Sequence, residues 1–596
     1  MAEEKTNKLN KIGITDYFFL AVLALFPFLH VNSGLDAADV GYNLLNFTVF
    51  PNMNRTWAIS TLVANIFGHV MTFLPGGKTM VGLTLYCTLL GSAFIVFFYL
   101  FLRKHYPSLI VFFGLLLAEG FSWCPRVILY HYLSYFFFCT GAILLLMAIE
   151  KEKKFLYAIA GAVLAFNVFV RFPNIIECLL IVVLFLYGIL EKKFVWKEFL
   201  LCVGGYLAML LAGVGIISIA YGKSAYIDMI KSLFQMTGEA TSYTPKSMLM
   251  TIFGDYLEYI RYFVPYLLLA LGAGAVVAFL KKTALKAVVF AGVSVVFAGI
   301  SILLKRRYGA FNFSYIDYRS FFMWGTFLLM MALFFAAYNI FKKDIPLNRK
   351  LFGMTVIAIV MISPIGSNNG LYSAFNNMFL VGAYLLGELF FLGKKTLETL
   401  REEKISSGRK IASGIGLSLA FTGLLICLAA LIQSSLFQIT FLFHDTSFVN
   451  GKFATVSDNP VIAGVRTDAE NAGKLQELND YLNENSLKHK KAVCFDKIPG
   501  FYYFFEEECA LSHSWAGLDS FPTEELRQDL VRLNAEQEKP LVILETDLEK
   551  TLVTGEEEPE SEKKKMLFEF LKENGYDVAF HGQGYIVCLP GEDIAE

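Results

Sequence analysis

Two carboxylates, Asp36 and Asp39, stand three residues apart in the stretch Val31 to Phe50, just after the first long apolar segment. A helical backbone would put both on one face, whereas an extended loop would not. A carboxylate pair can take a proton from an acceptor hydroxyl. It can also hold a hard divalent cation such as Mg²⁺ or Mn²⁺ through oxygen. Five arginines, Arg126, Arg171, Arg306, Arg307 and Arg319, stand at or near the ends of other apolar segments. Each carries a planar fork that can grip two phosphate oxygens. His69, His131, Asn368 and Asn369 supply further groups that could hydrogen-bond an acceptor or a sugar. Together these side chains suit the transfer of a group from a phosphate to a hydroxyl, with a base on one side and cations on the leaving group.

Each of these residues also has a plainer reading. Asp36 and Asp39 can solvate a loop or cap a helix opening near Val40. Arg171, between Val170 and Phe172, can snorkel at a membrane interface. Arg306 and Arg307 can meet anionic lipid headgroups, the two histidines can be satisfied interfacial residues, and Gly366 to Gly370 can be an ordinary turn.

The elements that would position these residues are set by composition. Of 596 residues, 56% are hydrophobic and only 17% are charged, with 58 Phe and 29 Tyr. Repeated apolar stretches of about 20 residues between short charged clusters specify a polytopic helical membrane protein. A net charge of -1 gives no electrostatic basis for binding nucleic acid. The nine cysteines show no metal-ligand spacing, and most lie in apolar runs as small hydrophobes. The first apolar segment follows Lys5, Lys8 and Lys11 without a small-residue cleavage signal, so it is expected to be a retained helix.

Hydropathy predicts about 13 transmembrane helices. They fall near 15–31, 79–102, 108–122, 127–149, 154–171, 174–190, 199–221, 262–280, 285–304, 320–340, 350–362, 372–391 and 412–434. With residues 1–14 cytoplasmic, every basic cluster between Arg103 and Lys410 that joins spans on the inner side obeys the positive-inside bias. Trp57 to Leu74, with Ser60, Asn65 and His69 among apolar residues, is expected to lie along the outer surface instead of crossing. The Asp36 loop and the five arginines then fall outside. The expected division is a membrane domain over 15–435 and a soluble extracytoplasmic domain over 436–596. In that tail, strand-like runs at Lys491 to Phe495, Leu541 to Leu544 and Tyr585 to Leu589 alternate with helical patterns, which predicts a small α/β domain.

Many spans, an acidic pair in the first outer loop, surface helices in that loop and a soluble C-terminal domain resemble the GT-C class of integral membrane glycosyltransferases. The resemblance covers about residues 12–435 in architecture, and its sharpest sequence element is Asp36-Ala37-Ala38-Asp39. It implies a polyprenyl-phosphate sugar donor, a glycan, lipid or protein acceptor in the cell envelope, and transfer with inversion at the outer leaflet. Within the pair it implies Asp36 as base and Asp39 in an orienting or metal-binding role. The Trp-Trp-Asp signature of oligosaccharyltransferases and the adjacent Asp-Glu of protein O-mannosyltransferases are both absent. The charge pattern suits a bacterial cytoplasmic membrane with the tail outside, in contact with membrane lipids. Two alternatives stay open: a secondary transporter or flippase, for which Glu119 and Glu177 would be the relay candidates, and a noncatalytic membrane assembly protein.

Overall fold

The computed structural model describes residues 12–239, 244–308, 318–366, 369–402, 406–445, 451–518, 521–546 and 562–591. Helix is present at each of the predicted span positions, but the lengths differ. Among the described residues, eight helices, including Met80–Leu102, Leu129–Lys151, Trp196–Tyr221 and Ser407–Thr440, are long and apolar enough to cross a membrane. Ile14–Phe28, Ser108–Phe121 and Lys154–Val168 are apolar but shorter. The segment expected at 372–391 is broken into Tyr372–Phe375 and Val381–Thr399. The Ser407–Thr440 helix runs past the boundary expected at 435 and delivers the chain to the tail. Large apolar side chains such as Leu211, Ile219, Phe279 and Val295 are exposed along these helices. In water such a surface would be a liability; in lipid it needs no cover.

Trp57 to Leu74 forms two short helices, Arg55–Ser60 and Leu62–Thr72. Asn54 starts the first by accepting the backbone N–H groups of Thr56 at 3.0 Å and Trp57 at 3.4 Å. Eleven residues give a helix of about 16 Å, too short to span a bilayer core. Its Ile66, Phe67 and Val70, with Phe73 at its end, are left uncovered, while Val63, Ala64 and Met71 pack inward.

The tail contains a small sheet. A two-stranded piece, β1 (Phe453–Ala454) with β2 (Thr467–Asp468), precedes β3 (Lys491–Cys494), β4 (Glu508–Cys509), β5 (Leu541–Glu545), β6 (Tyr576–His581) and β7 (Tyr585–Pro590). The last five form one sheet in the order β4-β3-β5-β7-β6, parallel across β4-β3-β5 and antiparallel from β5 onward. The three predicted strand runs are its centre. Successive residues face opposite ways, so Val493, Val542 and Leu544 pack under the helices Thr523–Ala535 and Glu562–Glu573. Ala492, Cys494 and Ile543 join a different cluster, which includes Leu475 and Leu478 from the Ala469–Glu484 helix.

That second cluster also takes in Leu44 and Phe47 of the Asp39–Val49 helix and Ile462, Phe501 and Phe504 of the tail. The tail therefore shares a hydrophobic core with the loop that carries Asp36. Each fully buried Leu or Phe is worth about 1.5–3 kcal/mol, so this junction is a firm one. Backbone contacts fix its register: Gly34 N–H donates to Arg466 O at 2.8 Å, Gly500 N–H to Ala37 O at 2.7 Å, and Met80 N–H to Val461 O at 2.8 Å. Glycine is required where the chains meet, since a Cβ on Gly41 would lie 2.6 Å from Gly500 Cα and one on Gly500 only 2.7 Å from Ala37 O. Gly500→Ala is expected to loosen this docking at a cost of about 1–3 kcal/mol, the usual scale for overpacking. Limited proteolysis and a thermal melt of the full-length variant would read it. Unchanged protease resistance of the tail would show that the contact is not needed.

Candidate active site

Asp36 lies in the loop before the Asp39–Val49 helix and Asp39 is its first residue, so the two do not sit on one helical face. The loop folds back because the Asp36 carboxylate accepts the backbone N–H groups of Ala38 at 3.0 Å and Val40 at 2.8 Å. This satisfies donors that a helix start leaves open. Asp36 is only 5% exposed. Its third partner is His444 Nδ1, 3.1 Å from Oδ1. His444 comes just after the last long helix and stacks on Phe443, with ring centroids 4.0 Å apart. Next to it, Asp445 accepts Leu35 N–H at 3.1 Å, Thr467 Oγ1–H at 2.6 Å and Asp468 N–H at 3.2 Å, pinning loop and tail together.

Asp36, Asp39 and His444 each offer a ligand atom within 4.8 Å of the others. Burial, and then the neighbouring Asp36 charge, pushes the Asp39 carboxyl above the ordinary carboxylate range, with His444 opposing. The hydrogen bond to Asp36 raises the His444 imidazole against its own burial. A repelling carboxylate pair with an imidazole beside it is a donor set that a divalent cation would satisfy, through two hard oxygens and one nitrogen.

The cluster stands between two cavities. One, about 140 Å³, is lined by Phe26, Asp36, Thr88, Arg126 and Gln438 and reaches back among the apolar helices. The other, about 950 Å³ and open, is lined by Asp36, Asp39, His444, Lys474, Lys497 and Trp515. Asp36 thus touches both, and Asp39 faces the larger one.

Among the arginines, Arg126 is the one that shares a cavity with Asp36. Its Nη2 donates to the fully buried Glu119, and its guanidinium lies 4.3 Å from the centre of the Tyr132 ring. Nη1 is buried with no partner among the described residues. Arg171 is elsewhere: its Nη2 donates to Gly366 O at 2.8 Å, and it lines a small recess with His131 and Asn174. Arg319 lies 3.8 Å from Glu258 and donates to Tyr262 Oη at 3.1 Å. Arg306 and Arg307 are exposed at the end of the Thr283–Tyr308 helix. His69 Nδ1 lies 2.8 Å from Phe47 O and ties the Leu62–Thr72 helix to the Asp39–Val49 helix. His131 Nδ1 lies 2.9 Å from Tyr135 Oη. Asn369 is exposed, and Asn368 lies outside the described residues.

No protein-family model and no curated protein matches the chain. Solved oligosaccharyltransferases are similar to it. The Archaeoglobus fulgidus oligosaccharyltransferase in complex with Zn and sulfate aligns at 12% identity over 90% of this chain and 69% of that one, with a TM-score of 0.45. The apo form of the same enzyme gives 13%, 97%, 74% and 0.42. The archaeal oligosaccharyltransferase AglB from Archaeoglobus fulgidus, in complex with an inhibitory peptide and a dolichol-phosphate, gives 13%, 97%, 74% and 0.41.

Three groups near the site carried no sequence expectation as part of it. His444 had one usable signal, a histidine directly at the exit of the last apolar helix. Glu119 stood out only as a carboxylate in an apolar run. His513 had none: it is buried between Tyr42, Trp57 and Phe521, at ring distances of 5.9, 5.5 and 4.9 Å. Its Nδ1 accepts Trp515 N–H at 3.0 Å, a role open only to the neutral ring. Burial pushes its imidazole down to about 4. Between pH 6.5 and 4 the unfolded chain therefore binds the proton more readily, and stability falls as pH falls. Relative to His513→Gln, the wild type is expected to lose about 3 kcal/mol over that window. Thermal melts of both proteins at pH 7 and pH 4.5 would check this, and parallel pH profiles would contradict it.

Proposed function

We propose that the chain is a GT-C-type membrane glycosyltransferase that moves a sugar from a polyprenyl-phosphate donor to a cell-envelope acceptor at the outer leaflet, with inversion. The observation that carries this reading is the meeting of Asp36, Asp39 and His444 between a cavity reaching into the apolar helices beside Arg126 and an open polar cavity under the tail. A lipid-linked phosphate suits the first and a hydrophilic acceptor the second. About thirteen crossings, a cytoplasmic N-terminus and an extracytoplasmic tail in a bacterial cytoplasmic membrane complete the reading.

Asp39 is the better base of the pair. Its carboxylate faces the open cavity, where an acceptor hydroxyl can come within reach of it. Asp36, buried and already holding two backbone N–H groups and His444, is the anchor. This reverses the order that family resemblance implied. In the reaction the acceptor O–H proton passes to the Asp39 carboxylate as the acceptor oxygen bonds the sugar's anomeric carbon. The bond from that carbon to the phosphate oxygen breaks, and its electron pair leaves with the phosphate, toward which Arg126 Nη1 can donate.

Asp36, Asp39 and His444 would hold a Mg²⁺ or Mn²⁺. When bound, such an ion supplies positive charge to the leaving phosphate. The deciding experiment is transfer of radiolabelled sugar from a purified polyprenyl-phosphate donor to membrane acceptor, with and without chelator. Transfer abolished by chelator and restored by Mn²⁺ is the expected result. Transfer that ignores chelator would discard the metal and keep the carboxylate base, and absence of transfer from a panel of donors would discard the reading.

A further inference from the structure

A separate cavity, about 710 Å³, opens at the end of the helix bundle away from Asp36. Two helices measure the separation. Val127, just before the helix Leu129–Lys151, lines the Asp36 cavity, and Lys151 lines this one; 23 residues of helix put about 35 Å between them. Met80–Leu102 runs the same way, from Met80 and Thr84 beside Asp36 to His105 here. A bilayer's thickness therefore separates the two cavities.

The floor is aromatic and apolar, with Tyr106, Ile149, Tyr187 and Phe352 all buried. One cation is fixed beside them. Arg349 Nε donates to Glu388 Oε1 at 2.9 Å, Nη2 donates to the other carboxylate oxygen, and the guanidinium carbon lies 4.6 Å from the centre of the Phe391 ring. Glu388 is only 2% exposed, but the Arg349 side chain is 23% exposed and lines the cavity. Nη1 is left without a hydrogen-bond partner among the described residues, on a guanidinium already held in place.

The rim carries charges of both signs. Lys151 and Lys193 are exposed there, and so are Glu150, Glu152 and Glu191. Lys193 lies 3.7 Å from Glu152 and donates to Tyr187 Oη at 3.2 Å. Burial holds the His105 imidazole below its ordinary value, with Glu150 opposing, so it adds no charge at neutral pH. With Arg349, three cations thus share the cavity with three carboxylates. Such a lining favours neither a plain anion nor a plain cation, and it complements a ligand that carries both signs. Phe194 and Phe390, each next in sequence to a lining residue, are exposed. The mouth borders surface that lipid covers, so a ligand can keep acyl chains there and place only its headgroup inside.

We propose that this cavity holds the headgroup of a zwitterionic aminophospholipid of the phosphatidylethanolamine type. Its phosphate takes Arg349 and Lys193, and its primary ammonium donates to the rim carboxylates. A quaternary ammonium has no N–H to give them, so the carboxylates select the primary amine. The lipid ties together the ends of the helices Leu129–Lys151, Val183–Glu191 and Leu347–Ile362, and its binding does not depend on the transferase reading.

The test uses full-length protein in detergent, stripped of lipid and titrated with dioleoyl phosphatidylethanolamine, phosphatidylcholine or phosphatidylglycerol, with retention read by native mass spectrometry. One phosphatidylethanolamine is expected to be retained, about tenfold more tightly than either other lipid. Arg349→Lys keeps the charge opposite Glu388 but removes the fork, and should weaken retention about tenfold. The triple variant Glu150→Gln, Glu152→Gln, Glu191→Gln changes only exposed side chains and stays informative if Arg349→Lys fails to fold. It should erase the preference over phosphatidylcholine. No retained lipid, equal retention of all three, wild-type retention by Arg349→Lys, or a preference that survives the triple variant would overturn the site. Tighter retention of phosphatidylglycerol would make it a plain basic patch. Displacement by a similar concentration of O-phosphoethanolamine, which carries both charged groups without the tails, would make it a site for a soluble ligand; either result also overturns the proposal.

Discussion

Asp39→Asn is expected to lower sugar transfer roughly 10²–10⁴-fold, the usual contribution of a general base, while barely moving the thermal midpoint. The Asp39 carboxyl faces an open cavity and stands beside another carboxylate that repels it. Removing its charge therefore relieves a conflict instead of breaking a contact. Asp36→Asn should behave differently. Its two oxygens accept Ala38 N–H and Val40 N–H and one of them meets His444, so an amide NH₂ would face a donor on at least one side. A loss on the order of 1.5–3 kcal/mol in stability follows, with transfer falling as a consequence of a displaced loop. Radiolabelled transfer and thermal melts on both variants separate the roles. Full activity in Asp39→Asn would remove it as the base, and an unshifted melt in Asp36→Asn would remove it as the anchor.

Arg126→Ala should cost about 3–5 kcal/mol in stability, because it strands Glu119 in an apolar setting without its counter-charge. Glu119 is 0% exposed at the side chain and Arg126 only 11%. Pairing Glu119→Leu with Arg126→Met removes both charges and is expected to restore most of that stability, since replacing a buried ion pair by apolar groups is often neutral. Transfer should not return, because the spare Nη1 beside the Asp36 cavity is still missing. A double variant that is stable and fully active would reduce Arg126 to a structural partner of Glu119. Melts and donor titrations across the four members of the cycle supply the comparison.

The residue types by themselves determined a good deal. Runs of about 20 apolar residues cannot leave their backbone unsatisfied in lipid, so helices at Met80–Leu102, Leu129–Lys151 and Trp196–Tyr221 could be read directly. Short β-branched runs bounded by polar helical patterns likewise announced β3, β5 and β7, because both faces of those strands are buried. Strand β6 was not legible, since its side chains are mostly exposed or half-buried and carry no apolar pattern. Asp36 and Asp39 could be singled out by type and place. What they do could not, because their difference arises from contacts. Asp36 is made an anchor by folding back on its own helix start and by His444, a residue 408 positions away. Arg126 is distinguished from the four other arginines by its buried partner Glu119 and by the cavity its guanidinium shares with Asp36. Local spacing sets which groups are available; burial, partners and the meeting of distant segments set their charge, access and role, and those exist only once the tail has packed onto the loop that carries Asp36.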